Sequence, residues 1–279
     1  SMHDFILSIS SKGLVFVKKG YNIPEAARSA SGTNIINIIQ TENGEKISAM
    51  IRGRGRDDDG YLVFVTKRGT VKRMEQSALK NIRSNGLRAI VLDEGDSLIS
   101  VLQTTGDENI FIATHNGMAV CFNESELRPL GRNAMGVRGI RLRDGDWVVG
   151  AGSSLAGEAV LTITEKGYGK RTLLSEYSIH GRGGIGIKNY QVTDKTGGIA
   201  DVKMVNPGED ILVISDDGTI IRMAVDHISV LGRSTQGVRI MRLAEGSRVI
   251  SIERTEREQG EDEAEEIEAE EAPEGNDEE

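Results

Sequence analysis

Residues 110–122 read IFIATHNGMAVCF, and this stretch defines the unit from which the chain is built. An apolar run, a polar pair ending in glycine and a second short run mark a β-hairpin whose turn requires a positive φ. The same order recurs in FILSISSKG (5–13) with LVFVKK (14–19), and in YLVFVTKRG (61–69) with TVKRM (70–74). It returns in VLTITEKG (160–167) with YGKRT (168–172), and in ILVISDDG (211–218) with TIIRM (219–223). The turn glycines Gly13, Gly69, Gly117, Gly167 and Gly218 lie 56, 48, 50 and 51 residues apart.

Downstream of each hairpin a second glycine-marked loop enters a third predicted strand: SGTNIINI (31–38), NGLRAIVL (85–92), MGVRGIRL (135–142), IGIKNY (185–190) and QGVRIMRL (236–243). A fourth follows in EKISAMI (45–51), DSLISVL (96–102), DWVVGAG (146–152), GIADVKM (198–204) and SRVISIE (247–253). Four short strands repeated at this period predict an all-β, propeller-like array of about five blades. The blades fall near 3–56, 57–106, 107–156, 157–207 and 208–255, after an expression scar at 1–2. Helix is expected only in short pieces at 24–28, 75–82 and 125–130. Aromatic residues make up 4% of the chain, so close packing of small Gly, Ser and Ala residues is expected in place of an aromatic core.

The net charge of −9 conceals a division. Residues 256–279 hold fourteen carboxylates and one base, Arg257, leaving +4 on the rest of the chain. Such an acidic, aperiodic segment reads as a disordered tail, either solubilising or folding back on basic surface in competition with a polyanion. A single cysteine, Cys121, excludes an intrachain disulfide and suits a reducing cytoplasm. No apolar run approaches the length of a membrane span.

Cations recur on the repeats. On the second strands stand Lys18 and Lys19, Lys72 and Arg73, Lys170 and Arg171, and Arg222, whereas the third unit has Val120 and Cys121. Around the second glycine loops stand Arg28; Arg83 and Arg88; Arg132, Arg138 and Arg141; Arg182 and Lys188; and Arg233, Arg239 and Arg242. Blades set round an axis would join these into a basic belt able to contact the phosphates of an extended polyanion. The bland reading is that water-facing strands carry Lys and Arg for solubility and edge protection.

Other chemistry is thin. Gly181-x-Gly183-x-x-Gly186 matches a dinucleotide loop in spacing, but the residues after it show no helical stripe. His3, His115, His180 and His227 are scattered without metal-ligand spacing. Asp57, Asp58, Asp59 and Gly60 lack the remainder of a calcium loop, and the RGRGR run at 52–56 fits a linker as well as a nucleic-acid contact. No catalytic constellation is present, and no metal or cofactor is expected. The rival to a DNA-binding module is a propeller-like protein-interaction scaffold.

IPEAARSASGTNIIN (23–37), NGLRAI (85–90), GVRGIRL (136–142), EKGYGKRT (165–172) and GRSTQGVR (232–239) together resemble the C-terminal domain of the A subunit of bacterial DNA gyrase. The resemblance covers residues 3–255, and the topoisomerase IV A subunit shares the same blades. It implies a β-pinwheel, a spiral relative of the propeller in which neighbouring blades exchange strands. It further implies a monomeric, non-catalytic domain that binds duplex DNA round its perimeter in the bacterial cytoplasm. Wrapping of one hand would then support ATP-dependent negative supercoiling by the whole enzyme. Its partners there would be the gyrase B subunit, together with the N-terminal cleavage region of its own polypeptide. The family's Q-R-R-G-G-K-G box has no intact copy here; either it lies upstream, in a repeat preceding these five, or the parent protein lacks it. GRGGIG (181–186) is a degenerate relative of that box.

Overall fold

The computed structural model describes residues 4–25, 33–39, 41, 44–53, 59–79, 82 and 85–257. The first repeat contributes β1 (Phe5–Ser10), β2 (Leu14–Lys19) and β3 (Ile47–Gly53). The second contributes β4 (Tyr61–Thr66), β5 (Thr70–Glu75), β6 (Leu87–Arg88) and β7 (Leu98–Thr104), and the third β8 (Asn109–Thr114), β9 (Met118–Asn123), β10 (Val137–Arg138) and β11 (Val148–Ser153). The fourth contributes β12 (Ala159–Thr164), β13 (Tyr168–Leu173), β14 (Ile187–Lys188) and β15 (Ile199–Val205). The fifth contributes β16 (Glu209–Ser215), β17 (Ile220–Ala224), β18 (Val238–Arg239) and β19 (Val249–Glu256). A 3₁₀ turn follows the second strand of every repeat, at Gly20–Asn22, Gln76–Leu79, Glu124–Glu126, Leu174–Glu176 and Val225–His227.

The sheets do not coincide with the repeats. Their orders are β3-β1-β2-β6, β10-β5-β4-β7, β11-β8-β9-β14, β15-β12-β13-β18 and, with three strands, β17-β16-β19. Each of β6, β10, β14 and β18 leaves its own repeat and pairs antiparallel with the second strand of the preceding one. This is the strand exchange of a pinwheel. It also corrects two expectations about the third strands. They are two residues long, because only those residues reach the neighbouring hairpin. In the first repeat the described part of 31–38 holds no strand but one short helix, Ile35–Ile38.

Apolar packing lies between sheets. Leu62 and Phe64 of β4 face the first sheet in a layer with Ile9, Val15 and Ile51, while Val63 and Val65 face the third sheet with Ile110, Ile112 and Val148. The next layer joins Phe111, Ala113 and Cys121 to Val160, Ile199 and Met204, and the last joins Leu161 and Ile163 to Ile211, Val213 and Ile252. A strand covered on both faces reads as a continuous apolar run, which is why YLVFV and IFIA show no alternation. Small residues let the sheets close up: a side chain at Gly152 would collide with Met204. The fourth strands β3, β7, β11, β15 and β19 pack against one another in chain order, so this edge of each sheet converges inward. The exchanged strands lie at the opposite, outer edge.

The loop glycines Gly86, Gly136, Gly186 and Gly237 carry φ of +81°, +108°, +81° and +69°. Each turns the chain over the second strand of the preceding sheet. A Cβ on Gly136 would stand 2.5 Å from the Val71 carbonyl and 3.1 Å from Lys72 Cβ. Both the clash and the left-handed φ oppose a β-branched residue, so Gly136→Val is expected to cost at least about 2 kcal/mol. Chemical denaturation of the variant beside the wild type checks this. The same geometry disposes of the dinucleotide match: Gly183 (φ +80°) donates its N–H to the Gly139 carbonyl at 2.6 Å, and the loop enters strand β14.

Candidate nucleic-acid interface

Each exchanged strand ends in a cation. Arg88 pairs with Leu14, Arg138 with Thr70, Lys188 with Met118 and Arg239 with Tyr168, the residue after the hairpin glycine in every case. All four cations are exposed. The residue after each one, Ala89, Gly139, Asn189 or Ile240, donates its N–H to the carbonyl of that hairpin glycine at 2.8–2.9 Å. The arrangement is fixed by backbone bonding, so its repetition does not depend on side-chain packing.

Neighbouring loops are stitched together in the same regular way. Val91 N–H donates to the Ala134 carbonyl at 3.3 Å, Arg141 N–H to that of Gly184 at 2.8 Å, and Gln191 N–H to that of Thr235 at 3.1 Å. The Arg182 guanidinium reaches the Arg138 carbonyl at 3.1 Å, and Arg233 reaches that of Lys188 at the same distance. The backbone N–H groups of Arg182 and Arg233 donate to Glu126 and Glu176 in the 3₁₀ turns beneath. The four outer edges therefore form one continuous belt. Arg132, Arg141 and Arg242 are exposed along it, and Arg182 and Arg233 are half-buried.

The second-strand cations are a different population. Lys72 and Lys170 are 0% exposed. Lys72 Nζ donates to the carbonyls of Ala89 (2.6 Å), Arg132 (3.1 Å) and Ala134 (3.1 Å), and Lys170 Nζ donates to those of Gly232 (2.6 Å) and Arg233 (2.7 Å). Their charges are spent inside, tying the belt loop of the next repeat to the hairpin under it, and the expectation that they contact phosphate is corrected. Arg73 is also buried, 3.6 Å from Glu124 and stacked on Tyr61 at 4.5 Å. Arg171 bonds the Ile228 carbonyl and pairs with Asp226 at 3.7 Å, and Arg222 pairs with Asp210 at 2.9 Å. These three hold neighbouring segments together and are not part of the belt.

The register also corrects the alignment of the first repeat. Phe16 faces Ser8 as Lys72 faces Phe64 and Lys170 faces Thr162. Lys18 and Lys19 therefore stand two and three residues beyond the lysine position, Lys18 half-buried and Lys19 exposed, 5.4 Å from the Tyr21 ring. Arg28 and Arg83 lie outside the described residues, as do the RGRGR run from 54 onward, Asp57, Asp58 and the acidic segment from 258.

Burial pushes the Lys72 and Lys170 amines down to about 8, from the ordinary lysine value of 10.5. Between those two values the folded chain holds fewer protons than the unfolded chain, so this contribution to stability rises with pH across the window. Unfolding wild type beside Lys72→Met from pH 7.5 to 10.5 is expected to show the gap widening in favour of wild type.

Sequence reasoning missed the hairpin tips. Arg68 and Lys166 precede the hairpin glycines and hold the Glu94 and Asp194 carbonyls, and Arg68 lines a cleft with Arg138 and Arg141. The signal was present, since the residue before the turn glycine is Lys12, Arg68 or Lys166 in three of the five repeats. His115 stacks on Trp147 at 4.0 Å and bonds the Ile199 carbonyl. Among the described residues no three His, Cys, Asp or Glu side chains come together to hold a metal ion, and no helix is long and apolar enough to cross a membrane. Chemically, the belt offers cations held in fixed places by main-chain bonding.

A family model described as the DNA gyrase C-terminal domain, beta-propeller, matches residues 4–53, 60–105, 108–154, 158–206 and 209–256. The DNA gyrase A protein of Clostridium acetobutylicum is 48% identical over 282 aligned positions, covering 100% of this chain and 34% of that protein. Its counterpart in Staphylococcus epidermidis is 44% identical over 255 positions, covering 90% of this chain and 29% of that protein. The chain thus spans about a third of the length of the curated relatives it matches. Among solved structures, the C-terminal domain of a DNA topoisomerase IV superposes with a TM-score of 0.83 at 26% identity, covering 97% of this chain and 85% of that one. A DNA gyrase A C-terminal domain gives 0.79 at 26% identity, covering 91% and 83%.

Proposed function

We infer that this chain, which belongs to the DNA gyrase C-terminal domain family, binds duplex DNA along its outer belt and bends or wraps it. The observation that carries this reading is the cation at one fixed register on every exchanged strand: Arg88, Arg138, Lys188 and Arg239. Cations placed by backbone bonding, on loops stitched edge to edge, suit a ligand whose charge repeats evenly along its length. The contacts are to phosphate, so binding is strong at low salt and nearly indifferent to sequence.

Within a full gyrase A polypeptide this domain would present a curved DNA segment to the N-terminal cleavage region. Negative supercoiling would be driven by ATP on the B subunit, in the bacterial cytoplasm. The chain itself contributes binding and geometry to that cycle and no bond-making step. The gyrase assignment rests on the curated relatives, which are gyrase A proteins at 42–48% identity.

Roughly eight phosphate contacts along the belt give a salt slope near −7, or about four orders of magnitude in affinity between 50 and 200 mM salt. Anisotropy titrations of a labelled duplex at several salt concentrations test the reading. A slope of this size supports it, and failure to bind duplex at any salt concentration supports the protein-scaffold rival.

A further inference from the structure

Two large apolar side chains stand in the middle of the basic belt. Met135 is 43% exposed and Ile185 is 44% exposed. They occupy the same position in successive exchange loops, immediately before the positive-φ glycines Gly136 and Gly186. Their neighbours two residues on, Val137 and Ile187, pack into the inter-sheet layers, so the loops had apolar contacts available. The backbone turn at each glycine instead aims residues 135 and 185 outward. The equivalent residues of the flanking loops, Asn85 and Gln236, are polar and exposed.

Each apolar side chain is bracketed by cations. Arg132 and Arg138 flank Met135 in the chain, and Met135 lines a surface cleft together with Arg68, Arg138, Arg141 and one carboxylate, Asp93. Arg182 and Lys188 flank Ile185. The two loops are joined directly, because the Gly184 carbonyl beside Ile185 accepts the Arg141 N–H at 2.8 Å. The two exposed aliphatic groups stand at matched sites of successive loops, where the neighbouring loops carry polar residues. An apolar tip between two phosphate-binding arms has a known physical use. The arms hold the sugar-phosphate walls of a narrow groove, and the tip enters between base pairs and partly unstacks them.

The geometry points to Met135 and Ile185 as apolar wedges that enter the minor groove of the bound duplex at two successive points and kink it. This rests on the DNA-binding reading above. The charges of the belt supply affinity, and the wedges localise the bend. In the flanking loops, Asn85 and Gln236 offer hydrogen bonds to groove-edge acceptors in place of insertion. A polyanion without stacked base pairs has no step for the wedge to open.

The test uses the 279-residue chain and a set of duplexes carrying 2-aminopurine at successive positions, with donor and acceptor dyes at the ends. Wild type is expected to raise 2-aminopurine fluorescence several-fold at two separated clusters of positions and to bring the ends together. Met135→Gln with Ile185→Gln, the chemistry of the flanking loops, is expected to lose at least four-fifths of that rise and to bend the duplex less. Its affinity should fall less than tenfold and its salt slope should not change, because every cation remains. Met135→Leu with Ile185→Leu is expected to retain the fluorescence rise. The proposal is overturned if wild type binds with a steep salt slope but unstacks no position, or if the glutamine variant unstacks and bends as wild type does. Absence of duplex binding by wild type would overturn the DNA-binding reading and the wedge with it, and the binding curve separates that case from the other two.

Discussion

Replacing Arg88, Arg138, Lys188 and Arg239 together by alanine is expected to lower duplex affinity on the order of a thousandfold at 0.1 M salt and to flatten the salt slope by roughly 3 to 4. Each removed cation withdraws one phosphate contact and the release of nearly one counterion, and the losses multiply because the four lie on separate sheets. Folding should survive. All four side chains are exposed, and the exchanged strands are held by backbone bonds to Gly13, Gly69, Gly117 and Gly167 that the substitutions leave intact. Two of the four have a further bond, Arg239 to the Tyr168 hydroxyl at 2.7 Å and Lys188 to the Gln191 side-chain oxygen at 2.9 Å, and a small loss of stability is expected at each. Anisotropy titration at three salt concentrations, with thermal unfolding as the control, distinguishes lost contacts from lost fold. An unchanged slope in a folded variant would move the DNA track elsewhere.

The converse result is expected inside the fold. Lys72→Met with Lys170→Met should lower the apparent melting temperature by roughly 10 °C, while the salt slope of duplex binding stays as in wild type. The reason lies in what each amine holds. Lys72 serves three main-chain carbonyls, that of Ala89 in its own repeat and those of Arg132 and Ala134 in the exchange loop of the next, and Lys170 serves two, Gly232 and Arg233, in the exchange loop of the next. Methionine fills the space but leaves the carbonyls without a donor, at about 1–3 kcal/mol for each one left buried and unsatisfied. Partial relaxation of the loops toward water reduces that sum. Phe16, Val120 and Ile221 show that the position also accepts apolar side chains. Alanine at the same positions would add a cavity and lower stability further. Calorimetry with duplex titration at matched salt checks both halves of this expectation.

The hairpins were legible because a turn glycine is a local requirement. Gly13, Gly69, Gly117, Gly167 and Gly218 each sit at positive φ, and their spacing states the repeat directly. The destination of the third strand was not legible from pattern. LR, VR and IK are two residues long, and their partners lie in the preceding repeat, where no local signal points. The resemblance to a strand-exchanging family supplied what periodicity could not.

Charge was legible in kind and only partly in place. An internal blade is covered on both faces, so Val71, Lys72, Arg73 and Met74 are all buried, and alternation gives no warning that a lysine in such a strand is internal. The belt cations obey a simpler rule. Arg88, Arg138, Lys188 and Arg239 stand two residues after Gly86, Gly136, Gly186 and Gly237, and aligning the repeats on that glycine brings them into one column. The first repeat carries Asn34 there. Met135 and Ile185 carry no charge and no turn requirement of their own, so in the sequence they look like any core residue of the same type.

The most direct test of the central claim is topological. A nicked plasmid is saturated with the 279-residue chain, religated, stripped of protein and resolved by linking number. Wrapping round the cationic perimeter, with the hand that the family resemblance implies, predicts a positive shift that grows with bound protein. The same shift should vanish in the variant lacking Arg88, Arg138, Lys188 and Arg239. Saturated duplex binding with an unchanged linking number would contradict the wrapping account.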